Sequence, residues 1–475
     1  MKTPARFFLC VAFPLYVWAH STGLPIDSTS TLIDGGNTCT QCHTGGTNGP
    51  GHVTLGVAAY TPGIAQTIQV TITGETAQEF GFQLTARLVN DPTQKTEAGY
   101  FLPSTLTPES QAYCSPDSRL APPAPDPCGS DLEFATHTTS SISPTGAGTR
   151  TWRVIWVPPG RDLGDVHFYA AVVAGTAAGP GGDRVYLREI VVSRVDCNLS
   201  GPPVLVPPVN SSSAVEDAAS YGPAIASNGL FSIFGQGFSI SSGSVNGPVP
   251  GNPGNGYTVT KGDFVNGNWP TELACVEVTV DGNPVPVFYV TGGQINAQAP
   301  TIPEGESASV VIILNPGTNK QIVSGATLVN GFPVQPSLFT FGPRGTGNAA
   351  ALNASKGYAY LADTSVVPSA VSAAPGDIIE IFGTGFGPTN PPYPPGQFAI
   401  PPPGAPLPEL TTTPFSVTIG GQAASDIKYA GLAFDAPGFY QVNVVVPDVP
   451  DGDQPIVVTV GGASSQRNVT IPVKH

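Results

Sequence analysis

Phe80-Gly81-Phe82-Gln83-Leu84-Thr85-Ala86-Arg87-Leu88 decides the fold class of this chain. Phe80, Phe82, Leu84, Ala86 and Leu88 recur at every second position, the spacing that aligns side chains on one face of a β-strand. The same alternation appears in Gln66 to Thr73, where Ile68, Val70 and Ile72 share a face. It returns in Trp152, Val154 and Trp156, in Val166, Phe168, Ala170 and Val172, and in Val185 to Val192. Clusters of Gly, Pro and Asn separate these runs and mark turns. Composition agrees: 57 Gly, 52 Pro and 11% charged residues exclude a helical protein and a highly charged disordered chain. The 40% hydrophobic content suffices for several cores, and 475 residues predict two to four domains. The chain is therefore expected to be all-β, built of tandem β-sandwiches.

The C-terminal part repeats itself. Phe231-Ser-Ile-Phe-Gly-Gln-Gly-Phe238 returns as Ile379-Glu-Ile-Phe-Gly-Thr-Gly-Phe386. Val278-Thr-Val-Asp-Gly282 returns as Val417-Thr-Ile-Gly-Gly421, and Gln294-Ile-Asn296 as Gln441-Val-Asn443. Offsets of about 140 to 148 residues imply two similar β-domains in succession. Gly383-Thr-Gly385-Phe-Gly387 resembles a phosphate-binding loop, but prolines follow it instead of a helix. Its glycines are expected to serve turns. Pro-rich Gly201 to Val209 predicts a stiff linker.

Met1 to Ala19 carries Lys2 and Arg6, then an apolar run ending Val17-Trp18-Ala19, the pattern of a secretory signal peptide cleaved after Ala19. The run is too short to span a bilayer. No other segment qualifies, so the mature chain is expected outside the cytoplasm without a transmembrane segment. Losing the leader takes the formal charge from −15 to −17. So acidic a chain repels nucleic acid, and no Lys/Arg cluster offsets this.

Cys39-Thr40-Gln41-Cys42-His43 carries the chemistry. C-x-x-C-H is the attachment pattern of a c-type haem. Two thiols one turn apart can each form a thioether to the porphyrin edge, and the next histidine can ligate the iron. The site is thus expected to hold one covalent haem c through Cys39 and Cys42, with His43 as proximal ligand. The other readings are a Cys39–Cys42 disulfide or half of a zinc site, for which no second Cys or His pair is visible. No G-x-S-x-G or H-E-x-x-H occurs.

Thr38 to Gly46, Tyr60-Thr-Pro-Gly63, Gly81 to Ala86, Phe134-Ala-Thr-His-Thr138, Gly164-Asp-Val-His-Phe-Tyr-Ala170 and Gly182-Asp-Arg-Val-Tyr186 together resemble the bacterial reeler-like domain known as choice-of-anchor V. Ala218-Ala-Ser-Tyr221, Gln294 to Gln298, Tyr429-Ala-Gly-Leu432 and Tyr440 to Val444 resemble the Solibacter-type C-terminal domain, similar to Ig-like IPT/TIG modules. These resemblances imply a reeler-like sandwich followed by two Ig-like domains, and they bring no established activity. The expected organisation is a signal peptide over 1–19, a reeler-like domain with the haem motif over 20–199, a linker over 200–213, and Ig-like domains over 214–342 and 343–475.

The only Met is Met1, inside the leader, so His/Met ligation is excluded; a sixth iron ligand is either absent or sought among the remaining histidines. His137 is the first candidate. The resembling domain also tends to carry His in that phrase, and on its strand it lies opposite Leu132 and Phe134, off the expected main core. His52 is the runner-up, since Thr44 to Gly51 could fold it back over the iron. Cys114 and Cys128 bracket a Pro-rich insertion and are expected to pair. Whether Cys197 and Cys275 pair stays open. Two functions follow: an extracytoplasmic monohaem protein for electron transfer or redox sensing, or a non-enzymatic adhesion or matrix protein with a Cys39–Cys42 disulfide. A small peroxidase ranks third, because the sequence offers no distal Arg/His pair for it. The redox partner or surface ligand is not identified by any motif.

Overall fold

The computed structural model describes residues 29, 31, 38–47, 49–102, 107–114, 118–119, 132–176, 181–199, 201–238, 256–434 and 436–475. The proposed leader 1–19 and Cys128 lie outside the described residues. The chain is all-β, as expected. The helical segments among the described residues are 3₁₀ turns of three residues, and none is a helix long and apolar enough to cross a membrane. The chain divides into two compact units. One comprises 1–58, 67–156 and 164–193, the other 59–66, 157–163 and 194–475.

The first unit uses ten strands: β1 (His52–Gly56), β2 (Gln66–Thr73), β3 (Glu79–Leu88), β4 (Tyr100–Leu102), β5 (Ser110–Cys114), β6 (Ser118–Arg119), β7 (Glu133–His137), β8 (Arg150–Val157), β9 (Val166–Gly175) and β10 (Arg184–Val192). One sheet runs β1-β2-β8-β4 and the other β10-β9-β3-β7-β5-β6. β3 pairs antiparallel with β9 from Glu79↔Gly175 to Leu88↔Val166. The predicted apolar row of β3 is buried between the sheets. Phe82 meets Trp152 at 4.9 Å and Phe168 meets Trp156 edge-on at 4.8 Å. Both buried indoles donate to carbonyls, Trp152 to Ser141 (3.0 Å) and Trp156 to Ala98 (2.8 Å).

Alternation predicts that the other face of β3 is solvated. It is buried too, for Gln83, Thr85 and Arg87 are inaccessible. Arg87 pairs with Glu97 and lies over the Phe134 ring at 5.3 Å. Leu132 and Phe134 cluster with Tyr113 on this outward face, whereas Glu133 accepts the Phe101 N–H of β4 in the facing sheet (2.6 Å). The expectation that Leu132 and Phe134 mark the main core is therefore corrected. The strand alternates as predicted, but its large side chains point away from the other sheet.

The second unit contains two further sandwiches. In the first, Leu230–Gln236 pairs with Gln294–Gln298; in the second, Ile378–Thr384 pairs with Tyr440–Val445. The repeated glycines have separate duties. Gly237 and Gly385 adopt φ of +77° and +72°, a region that favours glycine. A Cβ at Gly235 or Gly383 would instead lie 2.4 Å or 2.6 Å from the ring of Phe238 or Phe386, which folds back into the core. These loops turn strands, as expected. The repeated Gln-x-Asn phrase makes the same bond twice, Gln294 to Asn296 and Gln441 to Asn443, each at 2.8 Å.

Two boundaries shift. Val204–Leu205, placed in the linker by composition, pairs with Gly235 and Gln236. Ser337–Leu338 already pairs with Ile378–Thr384, so the last sandwich begins before residue 343. Cys197 and Cys275 form a disulfide. Asn315 brackets it, accepting from Cys197 N–H (2.8 Å) and donating to Cys197 O (3.0 Å). The bond closes a loop of 78-residue separation. Cys275→Ser should therefore lower the stability of this unit by about 4 kcal/mol on the chain-entropy relation. Urea unfolding of the variant and the oxidised parent measures it; equal midpoints would contradict this role.

Candidate functional site

Thr38, in extended conformation, caps the 3₁₀ turn Cys39–Gln41 by accepting the Thr40 N–H (3.2 Å). An α-type bond continues the turn, with His43 N–H reaching Cys39 O at 2.9 Å, so both cysteines and the histidine come from a single coil. Beyond it the chain lies against the start of β10, with Gly45 N–H donating to Asp183 O (2.8 Å) and Val185 N–H to Gly46 O (3.0 Å). Gly45 permits this approach, since a Cβ there would stand 2.3 Å from Gly182 O. Gly51 N–H donates to the Tyr186 hydroxyl (3.2 Å), which with Arg184 contacts buried Glu75.

This anchoring sets the thiols apart. Cys39 is 4% exposed and packs on Ala171, Val173 and Val185, on the outward face of β9 and β10. Cys42 is exposed. Burial pushes the Cys39 thiol up to about 12, with the charge of Cys42 adding to the rise. In the folded chain Cys39 is thus a poor nucleophile.

His43 is turned inward. Its Nδ1 lies 2.8 Å from Asp183 Oδ2, and the two side chains are 11% and 6% exposed. The other carboxylate oxygen accepts the Thr176 N–H (2.9 Å). A carboxylate at Nδ1 holds the proton there and leaves Nε2 with its lone pair.

His137 ends β7, where the ladder to β3 stops at Gln83↔Thr136. Its ring takes the next rung, with Phe82 N–H donating to Nδ1 at 3.2 Å. Gly81 makes the room, since a Cβ there would meet His137 Cε1 at 2.7 Å. Burial lowers the His137 pKa to about 4, opposed by the bond to Phe82 and aided by the charges of Arg150 and His43. The ring is neutral at physiological pH, and His43 is near enough for the two charges to oppose each other. With Nδ1 accepting, the proton sits on Nε2. Were Nε2 to act as a donor to a metal, the ring would need the other tautomer, whose Nδ1–H has Phe82 O at 3.3 Å as its acceptor.

The structure therefore places Cys39, Cys42 and His43 on one coil, with His137 near enough to His43 for their charges to interact. His52 starts β1 on its exposed side, opposite Val53 and Leu55. Cys114 is disulfide-bonded. Among the described residues no three His, Cys, Asp or Glu side chains converge as a metal-ion site. Sequence reasoning missed Asp183 and the role of Gly81. Both stand inside the segments Gly81–Ala86 and Gly182–Tyr186, but only pairing across β3, β7, β9 and β10 gives them partners. The donor set suits a covalently held haem: two thiols on one turn, an imidazole with its proton held at Nδ1, aliphatic packing, and a neutral second imidazole. Such a group would be held by Cys39, Cys42 and His43.

No protein-family model matches the chain. No curated protein matches it in sequence. Solved structures similar to it include the human F-spondin reeler domain, at 18% identity and a TM-score of 0.21, covering 32% of this chain and 95% of that one. Another is the Bacteroides ovatus mixed-linkage glucan utilization locus protein SGBP-B in complex with a heptasaccharide, at 9% identity and a TM-score of 0.24, covering 90% and 71%. At these scores the likenesses assign no activity.

Two outcomes follow from the geometry. Iodoacetamide at neutral pH should alkylate Cys42 in the folded, haem-free chain and reach Cys39 only after denaturation; peptide mass mapping reads this, and equal labelling would refute the burial of Cys39. Gly81→Ala should cost about 1–3 kcal/mol by overpacking and expel the His137 ring. By NMR, His137 of the haem-free parent should titrate near 4. In the variant its pKa should rise toward the ordinary value of about 6.5.

Proposed function

We propose that this protein is an extracytoplasmic c-type monohaem protein that transfers electrons or senses redox state, with Cys39 and Cys42 as attachment thiols and His43 as proximal ligand. The observation that carries this reading is the buried hydrogen bond from His43 Nδ1–H to Asp183, which leaves Nε2 as the donor directly after the two cysteines. When bound, haem supplies a one-electron couple. The chain would hold it beside the aliphatic patch of Ala171, Val173 and Val185 on which Cys39 packs; the burial of His137 near His43 and the exposure of His52 support His137 as the sixth-ligand candidate. Because the Cys39 thiol is buried, attachment precedes closure of the N-terminal segment over the sheet. The apolar leader and the Cys197–Cys275 disulfide support a location outside the cytoplasm. The two C-terminal sandwiches act as spacer or recognition modules for a redox partner or surface ligand, without catalysis.

Expression with a c-haem maturation system tests this. The intact mass should exceed the polypeptide by one haem, with a Soret band that survives denaturation. His137→Ala should keep the haem and convert a low-spin spectrum to high-spin, whereas His52→Ala should change neither. A bare polypeptide with a Cys39–Cys42 disulfide would overturn the proposal and favour an adhesion or matrix protein.

A further inference from the structure

Asp183 does more than fill a turn. We propose that it is the positioning residue that makes His43 an electron-rich proximal ligand, holding the haem site at low potential and favouring the ferric state. This deepens the haem reading above and rests on it.

Both oxygens of Asp183 are committed, Oδ2 to His43 Nδ1 at 2.8 Å and Oδ1 to Thr176 N–H at 2.9 Å. Among the described residues no Arg or Lys pairs with it; neighbouring Arg184 pairs with Glu75 instead. The negative charge is thus directed at the imidazole N–H rather than neutralised by a cation. Both side chains are nearly excluded from water, so the bond is electrostatically strong. An ionised acceptor pulls harder on a proton than a neutral carbonyl does. Withdrawing that proton raises electron density at Nε2 and the basicity of the ligand, as in carboxylate–histidine–metal arrangements. A more basic donor stabilises the more highly charged iron. His43 is held from both sides, since Gly45 N–H is bound to the backbone carbonyl of Asp183 itself.

Asp183→Asn removes the charge. With the amide oxygen still facing Thr176 N–H, the variant offers His43 an NH₂ donor, which opposes the Nδ1–H tautomer. The haem-loaded full chain should show an upward shift of midpoint potential by spectroelectrochemistry. A fall of about tenfold in the ferric-to-ferrous ratio at fixed potential corresponds to 59 mV. Asp183→Glu, which keeps the charge, should stay closer to the parent. A readout independent of haem is the ¹⁵N spectrum of His43 in the haem-free chain, which should show the Nδ1–H tautomer in the parent and its loss in Asp183→Asn. If Asp183→Asn does not fold, the parent spectrum decides, and an Nε2–H tautomer there overturns the proposal. A haem-loaded Asp183→Asn protein with unchanged potential overturns it as well. A parent that takes up no haem defeats the functional reading instead.

Discussion

Burial of both faces of β3, β7 and β9, in the middle of the six-stranded sheet, governs the first unit. One face meets the four-stranded sheet through Phe82–Trp152 and Phe168–Trp156. The other carries the Cys39–Gln41 turn on Ala171, Val173 and Val185. A sheet covered twice leaves no water for polar groups on its second face, so each must find an internal partner. Thr85 donates to Glu133 O at 2.9 Å and Thr136 to Phe82 O at 2.7 Å. His43 finds Asp183, and the His137 ring replaces a backbone rung.

Arg87 shows what this burial costs. Its Nη1 reaches Glu97 and Ala86 O, while Nε and Nη2 find no hydrogen-bond partner. Burial pushes Glu97 up to about 7 despite the pull of Arg87. A buried ion pair of this kind adds little net stability, because desolvation offsets the attraction. Glu97 also accepts the Glu133 N–H (2.9 Å), so the pair links the strand that carries Gly81 and Arg87 to β7, at whose end His137 sits.

The second unit solves a simpler problem twice. Each sandwich needs a strand that turns sharply and seals its own end, and Phe-Gly-x-Gly-Phe supplies both. One glycine makes room for the returning phenylalanine ring and the other adopts positive φ. Asn315 and the Cys197–Cys275 bond fix the entry to this unit through backbone contacts. None of these devices gathers ionisable groups as the first unit does at His43.

The all-β class, the strands, the internal repeat and the C-x-x-C-H coil are local properties, and the amino-acid sequence alone determines them. Alternation in Phe80 to Leu88 reports a strand because side-chain direction follows from the backbone period. That period reports only that two faces differ, so it could not tell that Gln83 and Arg87 are buried or that Leu132 and Phe134 face away from the second sheet. Only the tertiary structure pairs His43 with Asp183, 140 residues apart, because that contact depends on the register of β9 with β10. Only it sets His137 near His43 and His52 on the exposed side of β1, since the position of the His137 ring turns on where β7 parts from β3 and on the space that Gly81 leaves.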